Sequence, residues 1–253
     1  MFEVIILSII QGITEFLPVS SSAHLILISK YFNFTNANLT LDVSLHLGSL
    51  LAIITYFKKD IFNFIKNKNI FLKILISSFP TLIVGFILVK FSLIDFLRSY
   101  KLIGWTTIIF GIMLYFSDLK QTTKTIKDNY NYKTAIYISF FQILSLIPGV
   151  SRSGITITGA RIFNFSRVDS AKISFLMSIP TLTAVSIYNF KSLLIENNLT
   201  FSILNLYGII FSFIFSYLTI KFFLNFIKKF SLVYFVIYRI LLGVLILFYS
   251  YWI

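Results

Sequence analysis

Long runs of apolar residues separated by short polar stretches dominate the chain. Six runs approach the roughly 20 residues that a helix needs to cross the hydrocarbon core of a bilayer. Unbroken runs of this length predict membrane-spanning helices, because strands of a membrane barrel would alternate with a period of two. The runs cover about residues 41–57, 70–90, 102–117, 170–190, 203–224 and 232–252.

Two further apolar stretches are interrupted near their middle. Residues 4–29 contain a Gln-Gly pair, one glutamate, one proline and three consecutive serines, and residues 134–165 contain Pro148-Gly149. Non-helical backbone at membrane depth requires surrounding protein or a water-filled cavity. Each stretch therefore predicts a re-entrant hairpin of two short helices. The expected fold is all-α and polytopic, with six transmembrane helices plus two re-entrant helical hairpins.

The composition supports an integral membrane protein. Of 253 residues, 57% are hydrophobic and 12% are charged, whereas soluble domains carry about 25% charged residues. The net charge of +13 suggests nucleic-acid binding at first, but the lysines fall in short connections between apolar runs. We therefore expect the membrane bilayer, and no nucleic acid, as the partner of these charges. The absence of cysteine excludes disulfides and thiolate-bound metals.

The positive charges also predict the orientation of the chain. Fourteen Lys and Arg residues lie in the connections 58–69, 118–133, 161–172 and 221–231. The opposite set contains only five, namely Lys30, Lys90, Arg98, Lys101 and Lys191. Lys and Arg are enriched in cytoplasmic loops, so the first set is expected in the cytoplasm. The first hairpin then enters from outside and the second from inside.

Hairpins that enter from opposite sides suggest an inverted-topology repeat. Residues 11–19 and 142–150 both run from Gln to Val and lead into Val-Ser-x-Ser. A second match pairs residues 78–82 with residues 178–182, at an offset of 100 instead of 131 residues. The different offsets indicate an insertion in one half.

The sequence thus predicts a single membrane domain made of two halves. The first repeat covers about residues 1–117 and the second about 134–253, joined by a cytoplasmic linker at 118–133. Inverted repeats with broken helices place a binding site near the midplane of the membrane, at the repeat interface.

The second hairpin contains the chemistry of an anion site. Arg152 lies inside an apolar stretch, and an intramembrane charge is a functional-site hypothesis by default. Its planar donor fork suits phosphate oxygens. Ser151, Ser153 and Thr156 add donors near a helix N-terminus, which attracts anions. The alternative is that Arg152 is only a structural partner of Glu15.

The first hairpin contributes the opposite functionality. Gln11 and Glu15 are four residues apart, on one helical face, and Glu15 could bind a divalent cation or act as a general base. His24 follows Ser20, Ser21 and Ser22. A single histidine in an apolar segment is often a packing residue, but here the neighbouring groups favour a nucleophile or a general acid/base.

Three polar residues outside the hairpins are weaker candidates. His46 either faces the cavity or bonds to a backbone carbonyl. Asp42 lies at the end of a span and is expected at the interface. Arg239, in the last apolar run, is expected to extend its side chain to the cytoplasmic edge.

Two motifs resemble those of the undecaprenyl-pyrophosphate phosphatase (bacitracin-resistance) family. Residues 11–24, Gln-Gly-Ile-Thr-Glu-Phe-Leu-Pro-Val-Ser-Ser-Ser-Ala-His, resemble its glutamate-rich motif. Residues 148–156, Pro-Gly-Val-Ser-Arg-Ser-Gly-Ile-Thr, resemble its second signature, PGxSRSxxT. The resemblance extends to Leu-Gly-Ser at 47–49 and Ile-Tyr-Arg at 237–239, and so covers essentially the whole chain.

The resemblance implies an enzyme of the bacterial inner membrane whose site opens to the periplasmic side. Its substrate would be undecaprenyl pyrophosphate, a polyprenyl pyrophosphate lipid, and its product the monophosphate carrier used in cell-wall synthesis. This reaction would confer bacitracin resistance. A divalent cation, Mg²⁺ or Ca²⁺, is implied as cofactor, with Glu15 as its ligand. A homo-oligomer is left open.

By the same match, the catalytic residues would be Glu15, His24, Arg152 and Ser21. The groups lining the substrate site would be Gln11, Ser20, Ser22, Ser151, Ser153 and Thr156. Many family members have Glu where this chain has Gln11, and a neutral amide is a poorer metal ligand. Gln11 is therefore interpreted as a polar site residue.

Two other classes of function compete with the phosphatase. A carrier or flippase for a lipid phosphate would use the same inverted-repeat site, but it needs Arg152 and the helix ends without a nucleophile or proton-transfer group. A structural membrane subunit would leave both polar motifs unexplained. Phosphate release from the lipid pyrophosphate separates the first alternative from the enzyme.

Overall fold

A computed structural model describes residues 1–32, 34, 39–66, 68–93, 97, 99–120, 124–195 and 203–252, most of them helical. In chain order the helices are α1 (Phe2–Thr14), α2 (Ser21–Tyr31), α3 (Leu39–Tyr56), α4 (Lys58–Lys66), α5 (Lys68–Lys90), α6 (Tyr100–Asp118), α7 (Ile126–Asn129), α8 (Tyr132–Ile143), α9 (Arg152–Ile162), α10 (Arg167–Ile195), α11 (Ile203–Phe226) and α12 (Val233–Trp252).

The six predicted spans coincide with α3, α5, α6, α10, α11 and α12. Five of these helices are long and apolar enough to cross a membrane, namely Lys68–Lys90, Tyr100–Asp118, Arg167–Lys191, Ile203–Phe226 and Val233–Trp252. The apolar part of α3, Thr40–Tyr56, is shorter. Large apolar side chains such as Phe222 and Leu245 are more than half exposed on the outside. The protein is an all-helical, multi-pass membrane protein over its described ranges.

Both predicted helix breaks are present. Residues 15–20 separate α1 from α2, and a 3₁₀ turn at Leu144–Leu146 begins the break between α8 and α9. Each break ends on a serine with a left-handed backbone, Ser20 with φ 74° and Ser151 with φ 69°. A helix begins at the next residue in both cases, so the two breaks have the same local architecture.

Aromatic packing fixes the first break inside the bundle. Phe16, which follows Glu15, is fully buried. Its ring meets that of Phe175 in α10 edge to face, with centroids 5.4 Å apart. Phe175 also packs on Phe57 and on Phe223 of α11, at centroid distances of 6.3 and 5.8 Å. The residue beside Glu15 is therefore anchored in the main hydrophobic core.

Glycines let α1 and α3 approach α11 to backbone contact. A Cβ atom on Gly12 would lie 2.5 Å from the Cβ of Phe215 and 2.9 Å from the nitrogen of Ser216. A Cβ atom on Gly48 would lie 2.9 Å from the Cβ of Ser212. Ser212 and Ser216 also hydrogen-bond to Ser49 across this interface. Small residues and hydroxyl bridges are the usual means of packing helices in lipid.

The segment 58–69 was predicted as a simple connection between two spans. Most of it instead forms the helix α4. The lysines there mark a helix with charged and apolar residues interleaved, a composition suited to the membrane interface. Asp60 of α4 accepts a hydrogen bond from Nζ of Lys172 in α10 at 2.5 Å. Lysine density predicts a membrane boundary here but does not show whether the chain is helical.

A buried ion network connects helices at the end of the bundle opposite the serines. Asp118 receives both Nε and Nη2 of Arg167, at 2.7 and 2.9 Å. Nε of Arg161 lies 3.4 Å from the same carboxylate, and the backbone N–H of Leu232 also donates to it. The C-terminus of α9 is therefore held to α6 and to the start of α12.

Of the positively charged residues used to predict orientation, Arg98 lies outside the described residues.

Gly48→Ala is expected to destabilise the protein by about 1–3 kcal/mol, as overpacking does in a filled core. The added methyl group meets backbone and Ser212 in α11, which cannot move independently. Thermal unfolding of the purified protein in detergent would show a lower Tm. Gly85→Ala is the control, since its Cβ would lie 3.5 Å from a side-chain atom of Leu146, an ordinary contact. Equal Tm values for both variants would contradict the tight α3–α11 interface.

Candidate active site

A cavity of about 680 Å³ lies where the two breaks face α5 and α10. Polar groups from the breaks form one part of its wall, and mainly apolar residues of α5 and α10 form the other. Its lining includes Glu15, Ser20, Ser21, Ser22, His46, Thr81, Leu82, Gly85, Phe86, Val89, Ser92, Ser151, Arg152, Thr181, Leu182, Val185, Tyr188 and Asn189. The two predicted half-sites therefore meet in one cavity.

The centre of the polar wall is an ion pair between the hairpins. Nη2 of Arg152 lies 2.7 Å from Oε1 of Glu15, and their side chains are 16% and 7% exposed. Nη1 of Arg152 also donates to Oγ1 of Thr181 in α10 at 3.0 Å. Arg152 therefore pairs with Glu15, as the structural alternative requires, and also lines the cavity. Its role in binding an anion stays a prediction.

Glu15 organises the other groups of the first hairpin. Its Oε2 accepts a hydrogen bond from Oγ of Ser21 at 2.6 Å and another from Nε2 of Gln11 at 3.1 Å. Oε1 of Gln11 is buried, and within the described part of the chain it has no hydrogen-bond partner. The carboxylate thus connects the serine at the start of α2 to the arginine at the start of α9.

Helix N-termini supply further donors to the cavity. Oγ of Ser151 caps α9 by accepting from the N–H of Gly154 at 3.1 Å. Ser20 occupies the corresponding position before α2, and its hydroxyl lies 3.3 Å from that of Ser22. The first N–H groups of a helix lack intrahelical acceptors and carry a partial positive charge. Two such ends beside Arg152 form a site for a multiply charged anion.

Three predicted substrate-binding residues lie behind the cavity wall instead of in it. Gln11 bonds to Glu15, as described above. Ser153 donates to the carbonyl of Leu17 in the first break at 2.7 Å. Thr156 donates within 2.7 Å to the carbonyl of Arg152 and to Oγ of Ser174. The contact of Ser153 joins the two hairpins, whereas that of Gln11 lies within the first hairpin and those of Thr156 lie within α9 and between α9 and α10. A direct substrate contact for Gln11, Ser153 or Thr156 stays a prediction.

His24 also lies outside the cavity lining. Its Nδ1 donates to the carbonyl of Ser20 at 2.7 Å, so in the neutral ring Nε2 accepts from the hydroxyl of Tyr238, 2.5 Å away. The two rings are stacked with an interplanar angle of 5°. Both ring nitrogens are therefore engaged, one of them by the backbone of the residue with positive φ. The predicted catalytic role of His24 stays a prediction.

His46 and Arg239 differ in outcome. Both alternatives for His46 are correct, since it lines the cavity and its Nδ1 donates to the carbonyl of Asp42 at 2.8 Å. The prediction that Arg239 reaches the cytoplasmic edge is wrong. Arg239 is 0% exposed and bonds to backbone carbonyls, which replace the water that an extended side chain would otherwise seek.

The matching motifs at 78–82 and 178–182 line the cavity from α5 and α10. Thr81 and Thr181 face it, and Oγ of Ser78 donates to the carbonyl of Met177 between the helices at 3.3 Å. Sequence reasoning used this match as a sign of duplication and missed its place in the site. The match itself was the signal that could have found these threonines.

The cavity opens on the side of the bundle. Phe86 in α5 and Val185 and Tyr188 in α10 line it, although they are 61%, 42% and 44% exposed. A wall made of residues that also form the outer surface means that the cavity is continuous with the apolar exterior. The cavity therefore joins a polar wall inside the bundle to an apolar edge at its surface.

Fold and site together define a class: an integral membrane protein with a buried polar cavity that reaches its apolar outer surface. Residues 4–245 match the family of the bacitracin resistance protein BacA. The chain belongs to this family.

Relatives with curated names agree with this assignment. The undecaprenyl-diphosphatase of Pelagibacter ubique is 50% identical over 75% of each chain. That of Dinoroseobacter shibae is 41% identical over 73% of this chain and 74% of its own. That of Alteromonas mediterranea is 38% identical over 84% of this chain and 85% of its own.

Proposed function

We propose that this protein is a membrane phosphatase that hydrolyses undecaprenyl pyrophosphate to undecaprenyl phosphate and inorganic phosphate. The observation that carries the proposal is the Ser21–Glu15–Arg152 constellation, held by two helix breaks in a lipid-accessible cavity. Membership of the BacA family and the names of the relatives support the same activity. The reaction returns the lipid carrier to cell-wall synthesis and confers resistance to bacitracin.

Binding of the pyrophosphate uses groups from both breaks. Arg152 offers a planar fork that matches phosphate oxygens bidentately, and the N-terminus of α9 adds backbone donors. Because the side chains of Arg152 and Glu15 are only 16% and 7% exposed, these interactions are stronger than they would be in solution. The polyprenyl tail passes between Phe86 and Val185 into the bilayer.

Ser21 is the proposed nucleophile. Its Oγ donates to Oε2 of Glu15 at 2.6 Å, which is the arrangement of a nucleophile beside its general base. Oγ attacks the terminal phosphorus while its proton passes to Glu15. The bridging P–O bond breaks and undecaprenyl phosphate leaves. Water then attacks the phosphoserine, and the bond between phosphorus and the serine oxygen breaks. The proton held by Glu15 returns to that oxygen, which restores the serine hydroxyl and the carboxylate, and inorganic phosphate leaves.

A supporting role for His24 fits its contacts better than attack on phosphorus. Its two nitrogens are engaged by Ser20 and Tyr238. The bond to the carbonyl of Ser20 stabilises the left-handed residue directly before Ser21. His24 would therefore set the position of the nucleophile and of its neighbouring backbone donors.

The residues present can accommodate a divalent cation only with the help of substrate. Within the described residues no group of three or more His, Asp or Glu side chains comes together. Glu15 is a carboxylate that lines the cavity, whereas the buried Oε1 of Gln11 lies behind the wall. Mg²⁺ commonly takes one or two carboxylates plus substrate phosphates, so Glu15 would hold Mg²⁺ or Ca²⁺ together with the pyrophosphate. When bound, the cation would neutralise charge on the pyrophosphate.

An inverted repeat of six spans and two re-entrant hairpins is the topology we propose. Reciprocal packing supports it, because α1 packs on α11 and α8 packs on α5. In the same way α3 packs on α10, and α6 packs on α12. The correspondence is then α1 with α8, α2 with α9, α3 with α10, α5 with α11 and α6 with α12. Residues 78–82 and 178–182 fall in helices that do not correspond, which accounts for their different offset.

We place the protein in the bacterial inner membrane with the cavity open to the periplasmic side. The excess of Lys and Arg in the connections 58–69, 118–133, 161–172 and 221–231 supports this orientation. A pyrophosphate headgroup in the outer leaflet would then reach the site without crossing the membrane.

Glu15→Gln is expected to reduce phosphate release by about 10²–10⁴-fold, the contribution typical of a general base. The variant retains the shape of the side chain and a hydrogen-bond partner for Arg152. The measurement is inorganic phosphate released from undecaprenyl pyrophosphate by purified protein in detergent.

Asp60→Asn is the control, because it removes a carboxylate paired with Lys172 at a distance from the cavity. Wild-type protein that releases no phosphate would refute the enzyme and return the carrier alternative. Unchanged turnover by Glu15→Gln would instead refute only the role assigned to Glu15.

A further inference from the structure

Arg239 is a fully buried arginine in the membrane-spanning helix α12. None of the ion pairs formed by the described residues includes it. A buried charge without an ionic partner is costly in a membrane and marks a functional site by default. The role of this residue is therefore not explained by the reaction scheme above.

Backbone carbonyls hold the guanidinium in place. Nη2 donates to the carbonyl of Gly149 at 3.1 Å and to that of Val150 at 2.9 Å. Nε donates to the carbonyl of Thr107 in α6 at 3.2 Å. Two of these acceptors are consecutive residues of the break that leads into the cap of α9. Arg239 thus fixes the backbone directly before Arg152.

The orientation of these carbonyls determines where the next N–H groups point. In a trans peptide the C=O of one residue and the N–H of the next point in opposite directions. Because the carbonyl of Val150 points towards Arg239, the N–H of Ser151 points away from it. Ser151 and Arg152 both line the cavity. The guanidinium and the N–H of Ser151 therefore lie on opposite sides of this peptide unit.

The turn needs such a brace because its backbone is strained. Ser151 has φ 69° and Gly149 has φ 89°. A left-handed conformation costs a residue with a side chain roughly 1–2 kcal/mol, and it persists where surrounding contacts over-determine it. The donor fork of Arg239 holds the carbonyls of the two residues that precede Ser151.

Gly154 shows how closely the brace fits. A Cβ atom at this position would lie 2.8 Å from Nη1 of Arg239 and 3.2 Å from Oγ of Ser151. Any larger residue at position 154 would displace either the guanidinium of Arg239 or the capping hydroxyl of Ser151. Gly154 therefore provides the space that Arg239 occupies.

We propose that Arg239 is a positioning residue that sets the peptide planes of the second break, and so aims Arg152 and the N–H donors of α9 at the pyrophosphate. This role rests on the proposed phosphatase function. The neighbouring residue acts in a similar way on the first break. Tyr238 hydrogen-bonds to His24, and His24 in turn donates to the carbonyl of Ser20.

The test compares Arg239→Lys and Gly154→Ala with Arg161→Lys. Lysine keeps the positive charge but lacks the rigid fork, and alanine at 154 presses on the guanidinium while favouring the helix. Arg161 is a matched control, because it is 2% exposed and donates to the carbonyls of Phe165, Asp118 and Lys120 at the other end of α9.

Four quantities are measured on each purified variant: kcat and KM for undecaprenyl pyrophosphate, Tm, and the rise in Tm caused by inorganic pyrophosphate. Arg239→Lys is expected to lower kcat by about 10²-fold, as small misplacements of catalytic groups do, with a smaller change in KM. Gly154→Ala should lower kcat in the same direction, by more than its change in Tm accounts for. Arg161→Lys should change Tm alone.

Three results would overturn the proposal. In the first, Arg239→Lys retains the wild-type kcat. In the second, the loss of kcat in Arg239→Lys is no larger than its lower Tm accounts for, and Arg161→Lys shows the same relation between kcat and Tm. If Arg239→Lys does not fold, Gly154→Ala decides, and a wild-type kcat in that variant is the third. If the wild-type protein releases no phosphate, the phosphatase proposal fails. The pyrophosphate-induced rise in Tm still tests Arg239, because it should be smaller in both variants than in wild type.

Discussion

Arg152→Lys is expected to lower kcat by about 10³-fold or more, the range found for arginines that stabilise phosphoryl transfer. Lysine preserves the charge and can still pair with Glu15. It cannot donate in a plane to two phosphate oxygens while also holding Thr181. We expect this loss in kcat and kcat/KM together, because the interaction forms most strongly as charge develops in the transition state.

Lysine is preferable to alanine in this experiment. Alanine would leave Glu15 buried without its partner, which costs about 3–5 kcal/mol in comparable cases and would confuse unfolding with loss of catalysis. Arg167→Lys is the matched control, since Arg167 grips the carboxylate of Asp118 with two donors away from the cavity. Nearly normal turnover by Arg152→Lys would mean that Arg152 serves mainly as the structural partner of Glu15.

Ser21→Ala is expected to abolish turnover, with a loss on the order of 10⁴–10⁶-fold, as for other hydrolases that lose their nucleophile. The hydroxyl bonded to Glu15 at 2.6 Å disappears while the rest of the break is retained. Substrate labelled in the terminal phosphate should leave the label on Ser21 after rapid acid quench of the wild-type protein. No label should appear on the alanine variant.

Ser8→Ala provides the control for Ser21, because Ser8 lies in the same hairpin and its hydroxyl donates only to the carbonyl of Val4 in its own helix. A Ser21→Ala enzyme within about tenfold of wild type would indicate that water attacks phosphorus directly. Glu15 would then activate that water, and the assignment of Arg152 would be unaffected.

The membrane-spanning helices could be predicted from sequence because their signal is local. Burial in lipid requires a continuous apolar run of fixed length, and residues 70–90 and 203–224 meet that requirement almost residue for residue. The break before α9 could also be predicted from local sequence, since a Pro-Gly pair disfavours the continuation of a helix. The ion pair between Glu15 and Arg152 was predicted only as the structural alternative for Arg152, on the ground that an isolated charge is expensive in the membrane.

The interior arrangement of the site could not be predicted in the same way. The ring of His24 turns away from the cavity because Tyr238, more than 200 residues later, supplies its partner. Arg239 bonds to carbonyl groups, which every residue carries and which leave no trace in the sequence. Ser153 and Ser151 are two residues apart, yet only Ser151 lines the cavity, since the first turn of α9 points them in different directions.

The lateral opening between α5 and α10 has a kinetic consequence. A cavity of about 680 Å³ holds a pyrophosphate and the first part of a polyprenyl tail, whereas the remainder of a C55 chain stays among the acyl chains of the bilayer. Substrate and product then reach the site by two-dimensional diffusion. The turnover rate should follow the mole fraction of the lipid in the membrane, with surface dilution by inert lipid slowing the enzyme at constant bulk concentration.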